Sequence, residues 1–544
     1  MTESSHRRVK GSEWLGVAAC CAAASITAIV WSWRNGAMLN YGDAVAHLHI
    51  ARRVLDAHQP RLTELGSVWL PLPHLLLLPF VQIYSWWANG LAGVIPSALA
   101  YLAACMGIYR LARCWLRPAP SALALAFFAL NPNLLYLQTT AMTEPLFLCE
   151  MVWVAVWLVE WRASLDSGQG KPDRMQWLIA AVLVAAIFTR YDGWVMALAA
   201  WACMGVTLAR RGKLRSPGFW LASAVVVAAP LAWFVYNAVG FGDWLYFARG
   251  PYSAKAIEIR TAVPGFPPHP GWHDPWVGLI FFVKAAELDA AAAAWGKTLL
   301  IVSLAGTAWG WLAARRRAFT WALLLWFPAA FYAYSVSYGS VPIFLPVWWP
   351  HSFYNLRYGM EMLPAFALGV GFAAQFALAV VNEFKPRRVN ARWVGYAAAA
   401  LFAVLALNAV QMVRERPLVY MEGTKNIAAR RAYEIEIPPA LRALLAERPH
   451  AVVLMNTSVF PEIVALTGIP LRQTINEGDL EIYYDALAAP AAHAGLVLAF
   501  KGDDVDRAVE AHPEGLTAVR HFSTPGEPDA TIYVSDRSLS IAPE

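Results

Sequence analysis

Charge is scarce in this chain. Only 15% of its 544 residues are Asp, Glu, Lys or Arg, against 58% hydrophobic, and the mean hydropathy is +0.44. Soluble globular proteins carry roughly 25% charged residues, so that class is excluded. Cysteine is also scarce, with six residues at Cys20, Cys21, Cys105, Cys114, Cys149 and Cys203, all in or beside apolar stretches. A disulfide framework or a cysteine-based zinc site is therefore not expected. The sequence lacks a Gly-rich phosphate loop and an internal repeat. The net charge of +6 comes from small basic clusters at the ends of apolar stretches, without the continuous basic face that nucleic acid requires.

What the chain has in quantity is apolar runs near the roughly 20 residues that cross a hydrocarbon core. Assigning basic clusters to the cytoplasm makes them alternate consistently. The expected spans are 14–33, 94–113, 119–136, 142–161, 177–189, 193–208, 219–236, 295–312, 319–335, 358–381 and 393–413, about eleven in all. The first follows His6-Arg7-Arg8-Val9-Lys10 and ends at Trp31 and Trp33, which reads as a retained helix rather than a cleaved signal. Residues 34–93 and 237–294 are expected outside, with helical character over 43–57 and a proline-broken interfacial piece opening at Leu70-Pro71-Leu72-Pro73-His74. The fold class is an α-helical polytopic membrane protein, residues 1–413, followed by a C-terminal α/β soluble domain, residues 414–544. Buried strands are expected there at 451–455, 496–500 and 531–534.

In this threading the notable polar residues gather at one membrane face. Asp43 follows the first span and shares a helical face with His47, while His49 points elsewhere. Glu144 opens the fourth span at its outer end, Arg190 and Asp192 occupy an outer hairpin, and His351, Asn355, Arg357 and Tyr358 precede or begin the tenth span. Each has a bland alternative. The arginines could be snorkelling anchors, Glu144 could favour a helix dipole, and Asp43 could cap a helix. Yet carboxylates and arginines at one depth are what a charged, membrane-borne substrate requires, and ionisable residues at a bilayer point to function.

The order Asp43, Pro71-Leu72-Pro73-His74-Leu75-Leu76, Ile95-Pro96-Ser97-Ala98-Leu99, Asn131-Pro132, Thr143-Glu144, Thr189-Arg190 and Arg357-Tyr358 with Pro364 resembles the GT-C glycosyltransferases. The resemblance is to the protein O-mannosyltransferase and aminoarabinose transferase group, family 39, and covers the membrane body. It implies transfer of a sugar from a polyprenyl-phosphate donor to an acceptor hydroxyl (protein, lipid or glycan) on the outer face, with Asp43 as general base and Glu144 as a second catalytic carboxylate. Relatives carry Lys-Pro-Pro or Pro-Pro-Leu where this chain has Leu70-Pro71-Leu72-Pro73-His74, so His74 or an arginine would have to meet the phosphate.

Cleaving a bond between an anomeric carbon and phosphate builds oxocarbenium character on the sugar and negative charge on the leaving group. Arg190 and Arg357 suit that charge because guanidinium forks onto phosphate oxygens. Asp43 would take the acceptor's proton from the opposite side, giving inversion. His47, His74, Asp192, Asn355 and Tyr358 complete the expected substrate-binding set. No cofactor is required by the sequence, although Asp43, His47 and Glu144 are candidate ligands for a divalent metal such as Mg or Mn. The alternatives are a transporter or flippase for lipid-linked sugars, or a membrane anchor for a binding domain. The expected location is a bacterial inner (plasma) membrane, with the N-terminus cytoplasmic and the C-terminal domain extracytoplasmic.

Overall fold

The computed structural model describes residues 11–168, 172–262, 265–314, 319–383, 392–428, 430–458 and 460–537. The basic clusters at 6–10, 315–317 and 385–388 lie outside the described residues. Every expected span is helical, and nine segments among the described residues are long and apolar enough to cross a membrane. The chain is a multi-pass integral membrane protein.

The third and fourth expected spans fall outside those nine, each for a physical reason. The third is split into Pro118–Ala129 and Pro132–Leu137. Pro132 brings no N–H, and the Asn131 side chain restarts the helix by accepting from the backbone of Asn133 and Leu134 at 2.9 and 3.2 Å. The fourth, Glu144–Ser167, carries Glu144, Glu150 and Glu160, a load that suits a helix surrounded by protein rather than lipid. It packs between Leu91–Arg113 and Pro172–Thr189, and most of its residues are buried.

Close helix crossings use small residues. A Cβ at Gly306, on Gly296–Ala314, would lie 2.0 Å from the carbonyl oxygen of Gly369, on Leu363–Glu383. Only glycine permits that approach, and in lipid such packing replaces the hydrophobic drive between helices.

Between the first and second spans lie the helices Gly42–Asp56, Pro71–Val81 and Tyr84–Ala88. Pro71–Val81 begins with proline and has 11 residues, which at about 1.5 Å per residue is too short to span. After the last span, Arg392–Glu415, the short helix Leu418–Ile427 packs back into the body. The Tyr41 hydroxyl donates to its Val419 carbonyl at 2.7 Å, and its Val419 N–H donates to Asn133 at 2.9 Å. This helix lies on the tail side of the division expected at 413/414.

The tail folds around a five-stranded sheet of β1 Val453–Met455, β2 Thr474–Ile475, β3 Leu496–Phe500, β4 Leu516–Phe522 and β5 Ala530–Ser535, in the order β2-β1-β3-β5-β4. The first three are mutually parallel, and β5 is antiparallel to both β3 and β4. Buried β1, β3 and β5 coincide with the expected apolar runs. The tail rests on the helices between the first two spans: Asp56 accepts from Arg472 and from the Leu471 N–H at 3.2 and 3.3 Å, and the Tyr84 hydroxyl donates to the Ala465 and Ile469 carbonyls.

Candidate active site

Arg357 is placed by a strained turn. Asn355 takes a left-handed backbone conformation, φ 55°, and its side chain donates to the Pro342 carbonyl at 2.9 Å. The chain then enters the 3-10 turn Leu356–Met362, and the guanidinium points inward, its side chain 7% exposed. A buried guanidinium is tolerable only if anions surround it. Three do. Nε donates to Glu144 Oε1 at 3.0 Å, Nη1 to Glu422 Oε1 at 3.0 Å, and Nη2 to Asp43 Oδ2 at 2.5 Å. Glu422 also accepts from the backbone N–H of Arg357 at 3.2 Å.

Arg190 is held on the other side of Glu144. Its Nη1 donates to Glu144 Oε1 at 3.2 Å and to Thr143 at 3.0 Å, its Nε to Asp192 at 3.1 Å, and its Nη2 to the Tyr332 hydroxyl at 2.9 Å, with Glu361 3.3 Å away. Tyr332 donates to Glu361 at 2.7 Å. The Tyr358 ring lies against both cations, 4.9 Å from the Arg190 guanidinium carbon and 5.0 Å from that of Arg357, adding cation–π attraction. One oxygen of Glu144 thus couples two guanidiniums, while Oε2 has no hydrogen-bond partner among the described residues.

Access separates these groups more sharply than distance does. The side chains of Glu144, Glu361, Glu422 and Asp192 are at most 2% exposed, whereas Asp43 is 45% exposed. Asp43 is the carboxylate of the cluster that solvent and an incoming molecule can reach.

The expected residues Asp43, Glu144, Arg190, Asp192, Arg357 and Tyr358 are therefore brought into one network. Asn355 supports the Arg357 turn through its backbone and its bond to Pro342. His47 and His74 turn to each other, Nδ1 to Nε2 at 2.8 Å, with Trp69 against His47. Burial, reinforced by the charges of Arg357 and Arg190, drives His47 down to about 3, and burial likewise holds His74 well below the usual histidine range. A hydrogen bond between two imidazoles requires the accepting ring to be neutral, and the lowered pKa values favour that form. His49 points away, against Trp87.

Asp43, His47 and Glu144 do not assemble as metal ligands. Among the described residues no group of three or more His, Cys, Asp or Glu is placed to hold a metal ion. Three contributors were missed: Glu422, Glu361 and Tyr332. The spacing Arg357 to Glu361 is a helical i,i+4 signal, but Glu422 and Tyr332 have no local signature.

Residues 71–236 match the family described as Dolichyl-phosphate-mannose-protein mannosyltransferase. No curated protein sequence matches the chain. Among solved structures, ArnT from Cupriavidus metallidurans bound to undecaprenyl phosphate is similar at TM-score 0.53 and 14% identity, over 95% of this chain and 99% of that one. The same protein in its apo state gives 0.51 and 14%, over 96% and 100%. The likeness shows the GT-C fold. With the family match it bears out the expected group, and with that the expectation of a glycosyltransferase enzyme.

Removing a buried partner should differ from removing an exposed one. Glu422→Ala is expected to destabilise the purified protein by about 3–5 kcal/mol or to prevent folding, because Arg357 loses a fully buried anion. Asp43→Ala should change stability by less than about 1 kcal/mol, as for a solvent-screened pair. Thermal unfolding in detergent of both variants measures the difference.

Proposed function

We propose that this chain, a GT-C-fold protein of the protein O-mannosyltransferase-like group, transfers a sugar from a polyprenyl-phosphate donor to an acceptor hydroxyl, with inversion and with Asp43 as general base. The observation that carries this reading is Asp43 itself, a half-exposed carboxylate on the rim of an otherwise buried arginine–carboxylate network. ArnT, which shares the fold, binds undecaprenyl phosphate, and a lipid phosphate is the ligand to which Arg357 is suited.

In this mechanism the acceptor oxygen attacks the anomeric carbon as the bond from that carbon to the phosphate oxygen breaks, and the electron pair stays on the phosphate. The hydroxyl proton passes to Asp43. Arg357 stabilises the charge growing on the leaving phosphate. Arg190, whose nitrogens are all engaged by buried groups, is a positioning residue that fixes Glu144 and through it Arg357. Glu144 acts in the same way, since it is buried and its Oε1 is held by both cations. Asp192, Glu361 and Tyr332 hold Arg190 in turn. No step in this mechanism is routed through a metal.

The site lies on the extracytoplasmic side in this reading, with the N-terminus cytoplasmic and the tail outside a bacterial inner membrane. The alternation of basic clusters supports that orientation. Residues 1–413 form the catalytic body and 414–544 the outer domain, with the Leu418–Ile427 helix lending Glu422 to the body.

Asp43→Asn should fold and melt as wild type yet transfer sugar at least about a hundredfold more slowly, since the amide keeps the shape but cannot accept the proton. Turnover with a defined lipid-linked donor decides it, and near-normal rates would remove Asp43 from the chemistry. Orientation is checked by single cysteines at the exposed positions Thr261, Glu514 and Lys213 in a background without the native cysteines. An impermeant maleimide should label the first two on intact cells or spheroplasts and the third only after lysis. The reverse pattern would place the network on the cytoplasmic face.

A further inference from the structure

Every nitrogen of the Arg357 guanidinium already has a carboxylate: Glu144 on Nε, Glu422 on Nη1 and Asp43 on Nη2. A guanidinium presents two edges with parallel N–H donors, the Nε–Nη2 side and the Nη1–Nη2 end, and Nη2 belongs to both. The single Nε hydrogen is held by buried Glu144, so a phosphate that leaves the buried carboxylates in place forks onto the Nη1–Nη2 end, using the second N–H of Nη1 together with Nη2, and meets Asp43 there.

The three carboxylates are not equally displaceable. Glu144 and Glu422 are 1% and 0% exposed, so displacing either costs a buried anion its contact with Arg357, leaving Glu422 without a cation and Glu144 with Arg190 alone. Asp43 is 45% exposed and on release turns to water. Arg190 offers no alternative fork, because its three nitrogens are held by Glu144, Thr143, Asp192, Tyr332 and Glu361. The two guanidiniums face five carboxylates, Asp43, Glu144, Asp192, Glu361 and Glu422, so a phosphate enters a cluster that is formally short of positive charge. Loss of one carboxylate from the cluster accommodates it.

We propose that the donor phosphate and Asp43 compete for Nη2 of Arg357, so that the ion pair latches the base in the resting enzyme and donor binding releases it. The proposal rests on the reading that the donor is a polyprenyl phosphate. It sets an order: donor first, then activation of the acceptor. Once released, Asp43 Oδ2 takes the hydroxyl proton as the new bond to the anomeric carbon forms and the old one to phosphate breaks. The same guanidinium that held the base then holds the leaving group.

A double-mutant cycle on binding alone, with undecaprenyl phosphate as the probe and the full-length chain in nanodiscs, tests this without any need for turnover. Asp43→Asn should tighten binding about tenfold when Arg357 is present, the low end of couplings measured for close charge pairs, and less than about twofold in the Arg357→Gln background. Equal tightening in both backgrounds, or none in the first, overturns the competition and makes Asp43 simply a neighbouring charge. If wild type and Asp43→Asn both fail to bind the lipid, the donor assignment itself falls, and the latch with it. Should Arg357→Gln not fold, Arg357→Lys takes its place. An ammonium directs its three donors apart and can serve carboxylate and phosphate together, so the gain from Asp43→Asn should again stay under about twofold.

Discussion

Two guanidiniums withdrawn from water at a membrane face persist only while carboxylates surround them, and that requirement organises the structure. Isolated, each charge would carry a penalty of several kcal/mol. Paired through the shared Oε1 of Glu144, Arg190 and Arg357 tie together segments far apart in sequence: the helix after the first span through Asp43, the fourth span through Glu144, the hairpin through Asp192, the tenth span through Glu361 and the helix after the last span through Glu422. The span fold brings these elements to one depth, and the ion network sets their register.

Within the network rigidity and access are divided. The buried members fix the direction of Arg357 to within the tolerance of three hydrogen bonds, and a group held that way needs little reorganisation when charge develops beside it. Asp43, on the first turn of its helix, keeps one side toward solvent. In the proposed mechanism the base has to meet an acceptor, which a fully buried carboxylate could not do, and has to be aimed, which a free loop would not allow. The helix start between Tyr41, anchored to the Val419 carbonyl, and the buried His47–His74 pair gives it a fixed origin with an open side.

Much of this was legible because polar residues in an apolar chain stand out. Asp43, Glu144, Arg190, Asp192, Arg357 and Tyr358 all lie at expected span ends on one face, and they meet. The snorkelling-anchor alternative for the arginines fails on burial, since their side chains are 7% and 14% exposed and each is ringed by anions. Glu422 was illegible because it follows the last span, where ordinary composition reads as the start of a soluble domain. Tyr332 is one aromatic among many in an apolar helix. The His47 partner lies 27 residues away, beyond any local periodicity. In the tail, buried strands announced themselves, but β2 has two residues and β4 is an edge strand bearing Thr517, Arg520 and His521, so neither gives an apolar run. The split third span was visible only as Asn131-Pro132.

The proposed mechanism requires a lipid-linked phosphate to settle on Arg357. A structure of the full-length chain with undecaprenyl phosphate in nanodiscs measures this directly. The expected result is a phosphate within hydrogen-bond distance of Arg357 Nη2, with Glu144 and Glu422 unmoved and Asp43 turned toward the acceptor side. Phosphate density away from Arg357, with the Asp43–Arg357 pair intact, would contradict it.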